Sequence, residues 1–208
     1  MGETAFSSLD GLAEPIGLEA SLLERSLQGD GEAFARLVGL HEGMVFNLAA
    51  RLLGDLEEAR DLAQEVFLQI HRSLHRFERR SSLKTWIYRI VVNQCRNRRR
   101  FWRRRRRERC LPLHDLAPRD HARLVASGDE PDLEVARRES AERLQQALLA
   151  LSFEHRSVLL LREVEGLSCE EIGRTLGVAA GTVKSRLARA REKLRCRLLQ
   201  AAEKGARP

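Results

Sequence analysis

LSCEEIGRTLGVAAGTVKSRLARAREKL, residues Leu167–Leu194, decides how this chain is read. Val183, Leu187, Ala190 and Leu194 recur at helical spacing and share one side of a helix. The opposite side then carries Gly181, Lys184, Ser185, Ala188 and Arg189. Small residues let a backbone come close to a base edge, and Lys and Arg reach guanine acceptors or phosphates. Ahead of this helix, Ser168 and Glu171 have the spacing of a capping box, Ile172 and Leu176 form a buried stripe, and Gly177 provides a stop. Two such helices in sequence make a helix-turn-helix, the second entering the DNA major groove. The plain alternative is a helical hairpin with a solvated charged face.

Working outward, 37 Lys plus Arg stand against 30 Asp plus Glu, and the net charge of +7 suits an acidic partner such as nucleic acid. Ten arginines face one glutamate between Cys95 and Cys110, so the excess is concentrated. Aromatic residues make up only 5%, which favours helical packing over a β-sandwich. No apolar run has the roughly 18 residues of a membrane span, and MGETAFSSLDGLAEP lacks the pattern of a secretory leader. A cytoplasmic protein is the expectation. Cys95, Cys110, Cys169 and Cys196 show no metal-type spacing. His71 and His75 lie one turn apart without an evident third ligand, so no metal or cofactor is expected.

Upstream, residues 1–17 read as a loose arm. Helical patterning follows from Leu18 to about Arg100, with breaks at Gly29 and Gly54 and caps at Asp30 and Asp55. In DLEEARDLAQEVFLQIHRSLHRF, the residues Ala59, Leu62, Ala63, Val66, Ile70 and Leu74 face inward. Asp61, Glu65, Leu68 and Arg72 line a different face, with Gln64 at its edge. A mixed-charge solvated face is the default reading, although Leu68 hints at a contact surface. After the turn ERRSS, Ser82 can cap a helix whose inner side holds Leu83, Ile87, Ile90, Val91 and Gln94. Trp86 sits on the edge, and Lys84, Tyr88 and Arg89 fall toward solvent. Exposed aromatic and basic groups there suit single-stranded nucleic acid; packing is the competing role, favoured for Trp86.

Residues 101–136, basic and then rich in Pro, Gly and Asp, read as a linker, because like charges repel and Pro breaks helices. A second helical unit covers 137–200, lined by Leu144, Leu148 and Leu151 and then Val158, Leu159, Leu161 and Val164. Residues 201–208 form a tail. The fold class is all-α: two small helical domains, 18–100 and 137–200, on a flexible tether.

Two motifs together resemble the sigma-70 family of bacterial transcription initiation factors, in its extracytoplasmic-function (ECF) group. DLAQEVFLQIHRSLHRF with SSLKTWIYRIVVNQCRN resembles sigma region 2, and LSFEHRSVLLLREVEGLSCEEIGRTLGVAAGTVKSRLARAREKL resembles region 4. The resemblance spans all but the arm and the linker's own sequence. It implies that Asp61, Gln64, Glu65, Phe67 and Leu68 dock on core RNA polymerase, with Phe67 turned nearer the core. It implies that the turn Phe77–Ser82, with Arg79, Arg80, Ser81 and Ser82, captures an unstacked base of the −10 element. Lys84, Trp86, Tyr88, Arg89 and Asn93 then occupy the promoter-melting helix, with Lys84, Tyr88 and Arg89 the preferred contacts on exposure grounds. Gly181, Thr182, Lys184, Ser185, Ala188 and Arg189 read the −35 duplex, and Arg186 and Arg191 hold phosphates.

Ala179 departs from the family pattern, where Ser often caps the recognition helix; losing such a cap costs about 1 kcal/mol. The elements lie on the order of 70 Å apart along DNA, and residues 101–136 reach roughly 120 Å when extended. By analogy, Asp115, Asp120, Asp129, Glu130 and Asp132 would mimic a polyanion in the polymerase's RNA path. The resemblance also implies a dedicated anti-sigma factor and no catalytic step of the chain's own. A stand-alone helix-turn-helix regulator is the rival. A nucleic-acid packaging protein driven by the Arg96–Arg109 run is a third reading.

Overall fold

The computed structural model describes residues 14–108 and 131–205, with side chains placed for 17–105 and 139–200. Among the described residues all regular structure is helical: α1 (Glu14–Leu27), α2 (Gly31–Leu53), α3 (Leu56–Ser73) with a 3-10 turn (Leu74–Arg76), α4 (Leu83–Glu108), α5 (Pro131–Leu149), α6 (Phe153–Glu163), α7 (Cys169–Leu176) and α8 (Ala180–Gly205). The all-α expectation holds. α1 starts at Glu14, four residues ahead of the expected Leu18, and residues 1–13 of the arm lie outside the described residues.

Short polar side chains start most of these helices by taking an orphan N–H of the first turn. Asp30 accepts from Ala33 at 3.0 Å, Asp55 from Glu58 at 3.1 Å, and Ser82 from Thr85 at 3.1 Å. Ser168 accepts from Glu171 at 3.2 Å while the Glu171 carboxylate takes the Ser168 N–H at 2.8 Å, the reciprocal box expected from sequence. Gly54 ends α2 with φ 77° and Gly177 ends α7 with φ 69°.

In the first unit, α2 lies against α1, α3 and α4. Leu37, Val45, Leu48 and Leu52 meet Leu62, Val66 and Ile70 of α3 and Ile87 and Val91 of α4, all buried. Fully burying one such side chain is worth about 1.5–3 kcal/mol. In the second unit, Val158, Leu160 and Leu161 of α6 close on Ile172 of α7 and on Val183 and Ala190 of α8. Of the residues expected inward, Leu148 and Leu151 are buried, whereas Leu144 and Val164 are 43% and 48% exposed.

The supposed linker starts later than its composition suggests. α4 continues through the arginine run to Glu108, and α5 begins at Pro131. Arg is a good helix former. The run is also anchored: Arg98 bridges Glu58 at 2.8 Å and Glu65 at 2.6 Å, and Arg99 lies 5.1 Å over the Phe153 ring. Asp115, Asp120, Asp129 and Glu130 fall outside the described residues.

The two units touch. α2 meets α5 and α6, and α4 meets α7. Arg156 of α6 is only 3% exposed and has no carboxylate partner among the described residues. It donates instead to Leu52 O at the end of α2 (2.5 Å), to Leu148 O and Leu149 O at the end of α5 (2.9 and 2.5 Å), and to Leu151 O (3.2 Å). Helix C-termini present unpaired carbonyls and partial negative charge, so one guanidinium satisfies both ends. Burial, with Arg99 nearby, pulls its pKa down to about 10, which leaves it charged at neutral pH. Gly54 lies at the same joint: a Cβ there would meet Leu149 Cδ1 at 2.5 Å.

Candidate nucleic-acid interface

α8 presents the face its sequence predicts. Val183 and Ala190 are fully buried and Leu187 nearly so. Gly181, Lys184, Ser185, Ala188 and Arg189 are exposed, while Thr182 and Arg186 are half-buried. Arg191 is exposed but already held by Glu163 of α6 at 2.6 Å. The turn into α8 is tight: the Val178 N–H returns to Gly173 O at 3.0 Å, and a Cβ on Gly173 would meet Val178 O at 2.7 Å. No side chain caps α8 at Ala179; its carbonyl accepts the N–H groups of Thr182 and Val183 at 2.9 and 3.1 Å.

The turn before α4 is basic and bent. Arg79 has φ 54°, is exposed, and approaches Glu24 at 3.4 Å; Arg80 pairs with Glu78 at 2.8 Å. Ser82 is exposed and Ser81 half-buried. Trp86 is half-buried with its ring 5.4 Å from that of Phe77, in keeping with a packing role. Lys84, Arg89 and Asn93 are exposed.

Tyr88 corrects the sequence reading. Expected to face solvent, it is fully buried, and its hydroxyl donates to Glu165 in the α6–α7 loop. Burial and the Glu165 carboxylate both push the phenol above its ordinary range. Periodicity within α4 leaves Tyr88 facing outward; the second unit covers that side.

On α3, Asp61, Gln64, Glu65 and Leu68 are exposed, Leu68 to 58%, and Phe67 is half-buried against the core. An open groove of about 300 Å³ lies beside them, lined by Glu65, Leu68, Gln69, Arg72 and Gln94. Asp61 has no ion pair among the described residues, whereas Glu65 is engaged by Arg98. Sequence reasoning missed Arg98 and Glu165, and it missed Arg156. Glu58 and Glu65, two turns apart and opposite an arginine-rich helix, were the available signal for Arg98. His71 and His75 are exposed, and the His71 ring lies 4.9 Å from Phe34, edge to face. No cluster of three metal-ligating side chains occurs among the described residues, and none of their helices is long and apolar enough to cross a membrane.

Comparison with known proteins agrees with this layout. Residues 37–108 match Sigma-70 region 2 and residues 141–194 match Sigma-70, region 4. The ECF RNA polymerase sigma factor SigW of Bacillus subtilis is 33% identical over 174 residues, 82% of this chain and 91% of that protein. RNA polymerase sigma-H factor of Pseudomonas aeruginosa is 35% identical over 176 residues, 84% of this chain and 90% of that protein. ECF sigma factor SigM of Mycobacterium tuberculosis is 36% identical, covering 85% of this chain and 82% of its own. Among solved structures, CnrH in complex with the cytosolic domain of CnrY superposes with a TM-score of 0.61 at 25% identity, over 88% of this chain and 98% of that one. The sigma factor RpoE in complex with the anti-sigma factor NepR from Bartonella quintana gives 0.61 at 27% identity, over 80% and 96%. The helix-turn-helix of α7 and α8, the region 2 helices before it and these matches together make the chain a member of the ECF group of the sigma-70 family of RNA polymerase sigma factors, the initiation factors of bacterial transcription.

Proposed function

We propose that this sigma factor divides its work among three faces. The α3 face of Asp61, Gln64, Glu65 and Leu68 docks on basic and apolar groups of core RNA polymerase. The turn with Arg79, Arg80, Ser81 and Ser82 and the start of α4, with Lys84, Trp86, Arg89 and Asn93, engage the −10 element as it melts. Gly181, Thr182, Lys184, Ser185, Ala188 and Arg189 read the −35 duplex, and Arg186 holds phosphate. Arg191 joins it once Glu163 releases it. The chain catalyses nothing; nucleotide addition is the polymerase's, and the factor works wherever polymerase works.

The observation that carries this reading is α8: Lys184, Ser185, Ala188 and Arg189 are exposed on a helix anchored by Val183, Leu187 and Ala190. Groove entry needs that arrangement. The docked arrangement cannot span a promoter, because α7 sits directly on α4. The units therefore separate on DNA. Residues 109–130, between the described helices, reach roughly 75 Å at full stretch, still enough for elements about 70 Å apart. The similar RpoE structure is a complex with the anti-sigma factor NepR, which supports an anti-sigma factor as the partner that keeps this chain from polymerase.

Binding to core RNA polymerase followed by promoter-directed transcription tests the reading. A stoichiometric complex that initiates at defined sites, and weakens in the Asp61→Ala/Glu65→Ala variant, is expected. Tight duplex binding without affinity for polymerase would favour a stand-alone regulator instead.

A further inference from the structure

We propose that the second half of α4 is a rail for duplex DNA, gripping the phosphate backbone between the two promoter elements. This rests on the reading of α4 as the −10 helix. The part of α4 that the first unit buries ends at Cys95, yet the helix continues to Glu108. Several of its arginines have internal work. Arg98 bridges Glu58 and Glu65, Arg96 and Arg99 lie over Phe153, and Arg105 lies 5.2 Å over Phe101.

Arg100, Arg103 and Arg104 have none. They are exposed and without an ion pair among the described residues. Their spacing matters: Arg89, Asn93, Arg96, Arg100 and Arg103 or Arg104 follow one another at steps of three and four, so they form one stripe. It continues the exposed Arg89 and Asn93 of the −10 helix through Arg96, which is half-buried over Phe153 while the second unit is docked. From Arg89 to Arg104 it runs roughly 22 Å at 1.5 Å per residue. That length matches about six base pairs at 3.4 Å each.

The stripe fits a duplex better than a single strand. It offers forked, permanently charged donors suited to phosphate, and the two aromatic residues of this stretch, Phe101 and Trp102, lie on other sides of the helix, so the stripe itself carries no ring for stacking. Its direction is also set. α4 leads into residues 109–130 and thence to the −35-reading unit, so its far end points upstream of the −10 element. Contacts of this kind add affinity and fix register without reading sequence.

The test compares holoenzyme assembled with the wild-type chain, R100Q/R103Q/R104Q and R100K/R103K/R104K on one promoter fragment at graded salt. Each lost phosphate contact removes about 0.9 from the slope of log affinity against log salt. The Gln variant is expected to lose between two and three from that slope, to bind at least ten-fold more weakly at moderate salt, and to lose backbone protection just upstream of the −10 element. Its start-site choice and far-UV circular dichroism stay unchanged, and the Lys variant keeps most of the slope. An unchanged slope and footprint overturn the proposal, as does a loss of polymerase affinity in place of DNA affinity. If the wild-type chain forms no holoenzyme, the family-based roles fail first. The rail is then judged on the salt slope of duplex binding by the chain alone, where equality of wild type and Gln variant overturns it too.

Discussion

Tyr88 and Glu165, 77 residues apart, meet through the tyrosine hydroxyl and join α4 to the loop that introduces the helix-turn-helix. The contact closes the chain on itself. Tyr88→Phe keeps the ring and its burial but removes the bond, and is expected to cost the docked arrangement about 1 kcal/mol. Glu165→Gln should cost a similar amount. The double variant should lose less than the sum of the two, read from thermal unfolding. Additive losses would show that the pair does not interact in solution. Both single variants should also raise hydrogen exchange at the start of α4.

Two glycines should respond to alanine with opposite signs. At Gly173 a Cβ meets the carbonyl oxygen of Val178 at 2.7 Å, a rigid backbone atom inside the turn. Gly173→Ala is expected to destabilise the second unit by about 1–3 kcal/mol and to weaken −35 duplex binding. Gly39 lies exposed within α2 with nothing within 4 Å of a Cβ, and Gly39→Ala should stabilise by up to about 1 kcal/mol. Denaturant midpoints of the two variants settle both signs.

Stability should fall in mild acid. His41 is buried, and that burial pushes its pKa below 6.5 despite Glu19 at 3.5 Å; Lys84 adds to the depression. His155 is lowered as well, by burial first and then by Lys193. Both bind a proton more weakly folded than unfolded. The unfolded chain therefore takes up more protons as pH drops below about 6.5, and stability declines from there through the folded-state pKa values. A melting temperature lower at pH 5 than at pH 7, with a shallower decline in His41→Gln/His155→Gln, is expected. Equal slopes in variant and wild type would remove these histidines as the cause.

Thiol labelling should separate the cysteines by position. Cys95 is buried, and that burial raises its pKa to about 12, so hardly any thiolate forms at pH 8. Cys196 is exposed. Peptide mapping after brief alkylation should find Cys196 modified and Cys95 intact until denaturant is added. Rapid labelling of Cys95 in native buffer would mean that α4 leaves its neighbours far more readily than its packing implies.

Where the chain's own periodicity carries the information, the structure was legible in advance. The Ser168–Glu171 box, the Gly177 stop and the two faces of α8 follow from local spacing alone, because each depends on residues within one or two turns. Tyr88 was misplaced for the converse reason: a helical pattern reveals which side is apolar, not which outward side a distant loop will cover. Arg156, between His155 and Ser157, looks like a solvated charge, since backbone carbonyls, its actual partners, leave no trace in side-chain pattern. The helix runs past Arg100 into the stretch that reads as linker, because mutual repulsion of its arginines is legible in sequence whereas the anchors at its base, Glu58, Glu65 and Phe153, lie far away in the chain.

Arg156 also makes helix length a quantity the molecule measures. Its guanidinium grasps the last turns of α2 and α5, whose carbonyls are chemically alike in any sequence, so substitution along those helices leaves the grip intact. Inserting or deleting one residue does not. A single added residue turns a helix end by about 100° and advances it by about 1.5 Å, swinging the carbonyls off the guanidinium. Drift in side-chain identity is therefore cheap at this joint, and change in register is forbidden.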